Sequence, residues 1–479
     1  MSDKPCEHRT SAAVTLVGMA ERTHLTDRLE ALRNHFRSGA TRPYAARREA
    51  LKRLKRALLD HEEPLLEALD QDLRKPRFEG YLADVGLVHG ELDHTLAHLQ
   101  EWMRPERPGT PLSLQVAHSE VRVEPLGVVL IIAPWNYPAQ LVLNPLIGAI
   151  AAGNCAVVKP SEQTPHTAAV LERLLNEALP DQVLVVQGPG RDMGPALIEP
   201  FRFDHIFFTG SPGVGREIMA MAAPHLTPVT LELGGKSPAI VDRKVALDRA
   251  AQRIAWSKTF NAGQTCIATD HALVHEDVLE PFLAAVKKHL HRFYGDNPQQ
   301  SPHYARLVNE RRFRTVQGYL GEGTVVHGGQ HDAADRYIAP TVLIDVPDDA
   351  ACRREEIFGP VLPVIPWRER EQVLALVERN PFPLATYVFS DDRRTQRFFT
   401  ERIAFGGGCT NHAMLQFGNA DMPFGGVGTS GMGRYHGRAS FDLFSHHKGL
   451  VHASTLVEPG LQFPPYTGFK ERLLRWVLG

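Results

Sequence analysis

Residues Gly127–Ala133 read GVVLIIA, an apolar run with no polar break. A strand with one face in water alternates apolar and polar residues; an unbroken run needs cover on both faces, as the inner strands of a parallel sheet have. The pattern then repeats. A helical stretch through Leu146–Ala152 precedes Cys155–Val158 as strand, Pro165–Ala178 as helix and Val183–Val186 as strand. Ile206–Thr209 follows as strand and Gly215–Ala222 as helix. Strand and helix alternating at this spacing predict right-handed βαβ units, hence an α/β, doubly wound sheet. Val245 to Gly406 alternates in the same way through Ala272–Val274, Leu279–Leu290, Val361–Ile365, Val373–Val377 and Thr386–Phe389, which predicts a second α/β domain.

Before the first sheet, Asp27 to Met103 reads as long amphipathic helices, with Ala50, Leu51, Leu54, Ala57 and Leu58 at helical spacing. Arg104–Pro111 is a connector punctuated by Pro105, Pro108, Gly109 and Pro111, and Val116–Val123 alternates as an exposed ribbon would. The 479 residues suffice for roughly three domain-sized units, or two large ones, without staples. Fifty-three Lys and Arg against 55 Asp and Glu give a net charge of −2, so no basic field points to nucleic acid. No run reaches the roughly 20 apolar residues of a membrane span. Ala12–Ala20 is too short and polar for a signal peptide and reads as part of a loose extension. Five scattered cysteines, without CxxC or zinc spacing, fit a reducing, cytoplasmic setting and no structural metal.

Two glycine-rich stretches compete for a phosphate-binding role. Gly188, Gly190 and Gly194 are spaced GxGxxxG, one residue longer than the dinucleotide fingerprint, with Pro189 and Pro195 in awkward places, and a solvent turn is expected there. Phe207–Gly215 (FFTGSPGVG) runs a strand straight into a turn that opens a helix, where backbone N–H groups and the helix dipole can meet a pyrophosphate. Three further segments set hydrogen-bonding or reactive side chains among small residues: PWNYP (134–138), LELGGKSP (231–238) and NAGQTC (261–266).

In this order these segments resemble the aldehyde dehydrogenase superfamily, most closely its class 3 branch, over roughly Thr26 to Trp476. The class 3 character shows in DQDLRKP (70–76), GYLADVGLVHGELD (80–93), AIAAGNCAVVKPSE (149–162), DHIFFTG (204–210), EEIFGP (355–360) and PFGGVGTSGMGRYHG (423–437). The chain departs from relatives at Thr269, where proline is common, and across Cys409–Asp421, which is expected to line the substrate approach. The resemblance implies oxidation of a medium- or long-chain aliphatic or aromatic aldehyde to the acid. It implies Cys266 as the nucleophile, forming a thiohemiacetal and then a thioester, with the Asn136 amide and the Cys266 backbone N–H facing the oxyanion. Glu232 matches the base that activates water, and Glu356 is a rival for part of that role. A thiolate suits this chemistry because it adds to a carbonyl near neutral pH and leaves a carbon able to release hydride.

The resemblance likewise implies a nicotinamide cofactor. Gly210, Ser211 and Gly215 would face its pyrophosphate, Lys159 and Glu162 the adenosine ribose, Glu356 the nicotinamide ribose, and Phe358 would brace the ring. A carboxylate near the ribose favours NAD, with NADP possible, since a 2′-phosphate would meet a like charge. The expected domains are an extension at 1–20, a Rossmann-like cofactor domain at 21–112 and 127–233, and a catalytic domain at 234–440. A bridging element at 113–126 and 441–457, expected to pair with a second subunit in a homodimer, and a tail at 458–479 complete the chain. In the tail, Leu473, Trp476 and Val477 are expected to pack on the body rather than on a membrane. Presence of Cys266, Asn136 and Glu232 together weighs against a non-catalytic scaffold, and Glu232 favours water over coenzyme A as the acyl acceptor.

Overall fold

The computed structural model describes residues 19–458 and 460–478. Of the extension expected at 1–20, residues 1–18 lie outside the described residues, and 19–20 open the helix Met19–Arg37. Helices Tyr44–Asp60, Glu62–Leu73 and Leu87–Trp102 follow, the first of them burying Ala50, Leu51, Leu54, Ala57 and Leu58 on one face.

A six-stranded sheet runs in the order Gly431–Met432, Val229–Leu233, His205–Gly210, Val128–Ile132, Cys155–Lys159, Val183–Val185. It is parallel except for Gly431–Met432, which lies antiparallel to Val229–Leu233. Val128, Val129, Leu130 and Ile131 are fully buried, as the unbroken run requires. From the central strand Val128–Ile132 the chain winds outward through 155 and 183, then returns to the other side at 205 and 229. The order therefore reverses beside Val128–Ile132. In open α/β sheets, ligands bind outside the carboxyl ends of the strands at such a point. Here those ends lead into PWNYP and into Gly210–Ser211.

The second sheet has seven strands: Gly407–Thr410, Ala385–Phe389, Pro238–Val241, His271–His275, Val361–Trp367, Thr341–Ile344 and Thr324–His327. Only Thr324–His327 is antiparallel to its neighbour. His118–Pro125 and Ser445–His452 form a separate antiparallel ribbon.

Three local differences from the sequence reading have physical causes. The helix expected through Leu146–Ala152 begins at Gln140, and all its residues are buried; covered on every side, it carries no amphipathic period to mark its start. The solvent turn expected at Gly188–Gly194 is instead the mouth of a helix, Gly190–Ile198. Pro189 precedes its first residue, and the Gly190 N–H donates to Glu162 Oε1 at 3.3 Å. In the tail helix Gly468–Leu478, which touches Leu112–Leu114, Leu473 and Val477 are half-buried, but Trp476 is 75% exposed rather than packed.

Candidate active site

Helix Leu247–Thr259 ends in a turn whose residues Asn261, Ala262 and Gly263 all have positive φ, 53°, 51° and 75°. Left-handed backbone at non-glycine residues persists only where the surroundings over-determine it. Here they do. The Asn261 N–H donates to Glu79 Oε2 at 2.8 Å, and the Gln264 amide donates to the carbonyls of Asn261 and Arg306 and accepts from the Val308 N–H. Gly263 could not carry a side chain, since a Cβ would stand 2.3 Å from the Gly359 carbonyl. This close approach seats the Cys266 loop against the EEIFGP segment.

Asn136 meets the same loop from the first sheet. Its side-chain amide donates to the Gln264 carbonyl at 3.1 Å, and its own carbonyl accepts from Asn261 Nδ2 at 2.9 Å and from Lys75 Nζ at 2.8 Å. Lys75 is buried and ion-paired with Asp84 at 2.7 Å. Tyr137 shares a hydrogen bond with Thr265, the residue before Cys266.

Cys266 and Glu232 line one cavity of about 180 Å³. The rest of its wall is chiefly apolar, with Leu82, Leu87, Leu141, Trp256, Phe260, Ile267, Met414, Leu415, Phe417 and Phe424. Glu232 is buried with neither carboxylate oxygen hydrogen-bonded, and burial pushes its pKa well above the usual carboxylate range. Burial also pushes the Cys266 thiol up, with the Glu356 and Glu232 carboxylates adding to the effect. Glu356 is raised to about 8, by burial first and by the charge of Asp270 second.

The sequence reading overlooked the residues that hold these groups in place. Gln264, Asn261, Glu79, Lys75 and Asp84 fix the Cys266 and Asn136 loops. Lys236 donates to Asp270 and to the Cys352 and Glu355 carbonyls, while Asp270 accepts from the Ile357 N–H, which pins the Glu356 segment from behind. Gln264, Asn261, Lys236, Lys75 and Asp84 all sit inside the motifs given above, so their places were visible; Glu79 falls outside them, a charged residue on a helical segment, where a solvated face is the ordinary reading.

Ser211 caps the helix Pro212–Ala222, accepting from the Val214 N–H, and a Cβ on Gly213 would meet open space. A Cβ on Gly210 would strike the Phe208 ring at 2.5 Å, and one on Gly215 would press on Leu233 at 3.1 Å. Lys159 and Glu162 are ion-paired at 2.7 Å beside Gly190, so both expected ribose contacts gather at the mouth of a second helix. Glu356 is wedged against Gly234, where a Cβ would stand 1.9 Å from its carboxylate, and its Oε1 is buried without a partner. Phe358 meets Trp135 edge-on at 5.3 Å and lies under the Arg312 guanidinium. An orphaned carboxylate oxygen calls for hydroxyl donors, and a helix mouth opened by small residues calls for an anion. A nicotinamide dinucleotide, with ribose diols and a pyrophosphate, fits both demands.

The sequence pattern of the aldehyde dehydrogenase family matches residues 4–450, and the chain belongs to that family. It is an NAD(P)-dependent enzyme that oxidises aldehydes to carboxylic acids. Among its relatives, human aldehyde dehydrogenase family 3 member B1 is 44% identical over 94% of this chain and 96% of its own length. The 4,4'-diaponeurosporen-aldehyde dehydrogenase of Staphylococcus aureus is also 44% identical, over 90% of this chain and 95% of its own. The substrate-bound structure of Staphylococcus aureus AldH superposes with a TM-score of 0.92 at 41% identity, covering 94% of this chain and 99% of that one. The class 3 resemblance read from the motifs is thereby borne out.

Proposed function

We propose that Cys266 is the nucleophile of this aldehyde oxidation. Its thiolate adds to the aldehyde carbon, and the resulting oxyanion is held by the Asn136 amide and the Cys266 backbone N–H. When bound, NAD(P)+ supplies the hydride acceptor. Loss of hydride leaves an acyl group on Cys266, which water activated by Glu232 releases as the acid. The observation that carries this reading is the apolar cavity shared by Cys266 and Glu232, against whose loop the Asn136 amide is tied through the Gln264 carbonyl.

Gly210, Ser211 and Gly215 face the pyrophosphate, Lys159 and Glu162 the adenosine ribose, Glu356 the nicotinamide ribose, and Phe358 braces the ring. Glu162 favours NAD, and its ion pair with Lys159 leaves room for NADP. The apolar walls favour medium- or long-chain or aromatic aldehydes. The division into cofactor, catalytic and bridging units follows the boundaries set out above. The bridging ribbon, isolated from both sheets, supports a homodimer, and no described helix is long and apolar enough to cross a membrane. The few, scattered cysteines support a cytoplasmic location. The test is Cys266→Ala, assayed by NADH formation with an aldehyde panel and by cofactor titration. Oxidation is expected to vanish while cofactor binding persists; retained oxidation removes the assignment.

A further inference from the structure

The cavity around Cys266 holds polar atoms that neither the nucleophile nor the oxyanion contacts account for. Of its polar wall residues, Tyr137 and Thr265 bond to each other. Gln140, Thr209, Glu232 and Tyr435 do not close: Gln140 Nε2, Thr209 Oγ1, both Glu232 oxygens and the Tyr435 hydroxyl are buried without a hydrogen-bond partner. The Gln140 amide is the neighbour of the Tyr435 hydroxyl, yet the two stop short of ordinary bonding geometry. A buried polar group left unsatisfied is costly, and four gathered in one apolar cavity are a demand for a small polar occupant. A buried water is held by two to four such partners, and donor and acceptor types here are mixed, as water requires and an apolar aldehyde chain does not.

Their placement is set by the sheet. Thr209 and Glu232 are paired across parallel strands, and Gly431 pairs with Glu232 from the other side. Gly431 has φ 137°, and a Cβ there would stand 2.0 Å from the Leu231 carbonyl, so only glycine lets this strand close on Glu232. Tyr435, four residues on, is held by reciprocal backbone hydrogen bonds with Phe424 at 2.9 and 2.8 Å. Its ring is packed by Phe207, Phe424 and His436, which fixes the hydroxyl beside the Gln140 amide without a completed hydrogen bond.

We propose that the Tyr435 hydroxyl and the Gln140 amide hold, with Thr209, the water that Glu232 activates, which makes Tyr435 a further catalytic group in release of the acid. This rests on the Cys266 thioester proposed above. The water oxygen attacks the thioester carbon and its proton passes to the Glu232 carboxylate. The C–S bond then breaks, the thiolate leaves, and the proton returns to sulfur, with no change of oxidation state. Tyr435 orients the attacking lone pair through its O–H; it takes no part in hydride transfer.

Tyr435→Phe keeps the ring packing and removes only the hydroxyl. Loss of one oriented hydrogen bond predicts a kcat lowered roughly ten-fold, while the first-turnover rate and amplitude of NADH formation stay at the wild-type level. Acid quenching should then trap an acyl group on the Cys266 peptide, and hydroxylamine added to the acyl-enzyme after removal of free aldehyde should release it as the hydroxamate and free the thiol. Gln140→Met is expected to follow the same pattern more weakly. An unchanged kcat in Tyr435→Phe overturns the proposal. So does a slowed first turnover without trapped acyl enzyme, or loss of first-turnover amplitude in both variants. If instead Cys266→Ala still forms NADH, the thioester reading itself fails, whatever Tyr435 does.

Discussion

The two ends of the cavity are built differently. At its base, the Asn261–Cys266 loop is tied by side chains reaching in from Glu79, Asn136 and Gln264, all buried, through a run of positive-φ residues that nothing looser could hold. At its mouth, the segment around Leu415 hangs from the Gln416 amide, which reaches Tyr387 and Cys409, while Leu415 is 57% exposed. The base holds the Cys266 thiol and the Glu232 carboxylate, which the proposed reaction needs at fixed distances. The mouth meets only the remainder of the substrate, where apolar contact suffices and geometry is loose. Met414, Leu415, Phe417 and Gly418 of the Cys409–Asp421 segment line the cavity at this looser end.

If the base is rigid because the chemistry demands it, its variants must be severe. Asn136→Ala is expected to lower kcat by about 10²–10³, the cost of one oxyanion donor, with cofactor affinity unchanged in a fluorescence titration. A kcat near wild type would mean that the base tolerates slack. Gln264→Leu removes three buried hydrogen bonds behind the same loop and is expected to lower stability by about 3 kcal/mol in denaturant unfolding, with a fall in kcat and a smaller change in KM. Intact stability would show that the positive-φ turn holds itself.

The pH profile sharpens the same contrast. Burial raises the pKa values of Glu232 and Cys266 and lifts Glu356 to about 8, so each group is shifted toward its protonated form. In the mechanism proposed above, Cys266 and Glu232 both act after losing a proton. kcat/KM is therefore expected to climb from pH 6 to 9, approaching ten-fold per unit on its acid limb. A profile flat over that range contradicts the upward shift of these buried groups.

How much of this was legible in the sequence differs between the two ends as well. The parallel sheets were readable because Gly127–Ala133 and the strands after it are covered on both faces. The helix start at Gln140 was not, because burial on all sides erases the period that marks a boundary. Gly188–Gly194 reads as a solvent turn because Pro189 and Pro195 look hostile to a helix; in the structure Pro189 stands just ahead of the first helical residue and Pro195 lies within the helix. Cys266, Asn136 and Glu232 came from motif resemblance. Tyr435 and Gln140 stood inside or beside motifs too, but an unpaired hydroxyl is a property of three-dimensional surroundings, invisible in a string of letters.

The mildest variant tests the mouth. Leu415 lines the cavity but is more than half exposed, so its truncation to alanine forfeits only part of the 1.5–3 kcal/mol that a fully buried leucine contributes. About 1 kcal/mol is a reasonable share, or roughly a five-fold loss in kcat/KM for an aldehyde long enough to reach the mouth. A short aldehyde, which occupies only the base, should be oxidised at the wild-type rate. The ratio of the two, measured by NADH formation, isolates the mouth from the chemistry, since both substrates share Cys266, Asn136 and Glu232. An equal loss for short and long aldehydes would show that Leu415 supports the base after all, and that the two ends are one rigid unit.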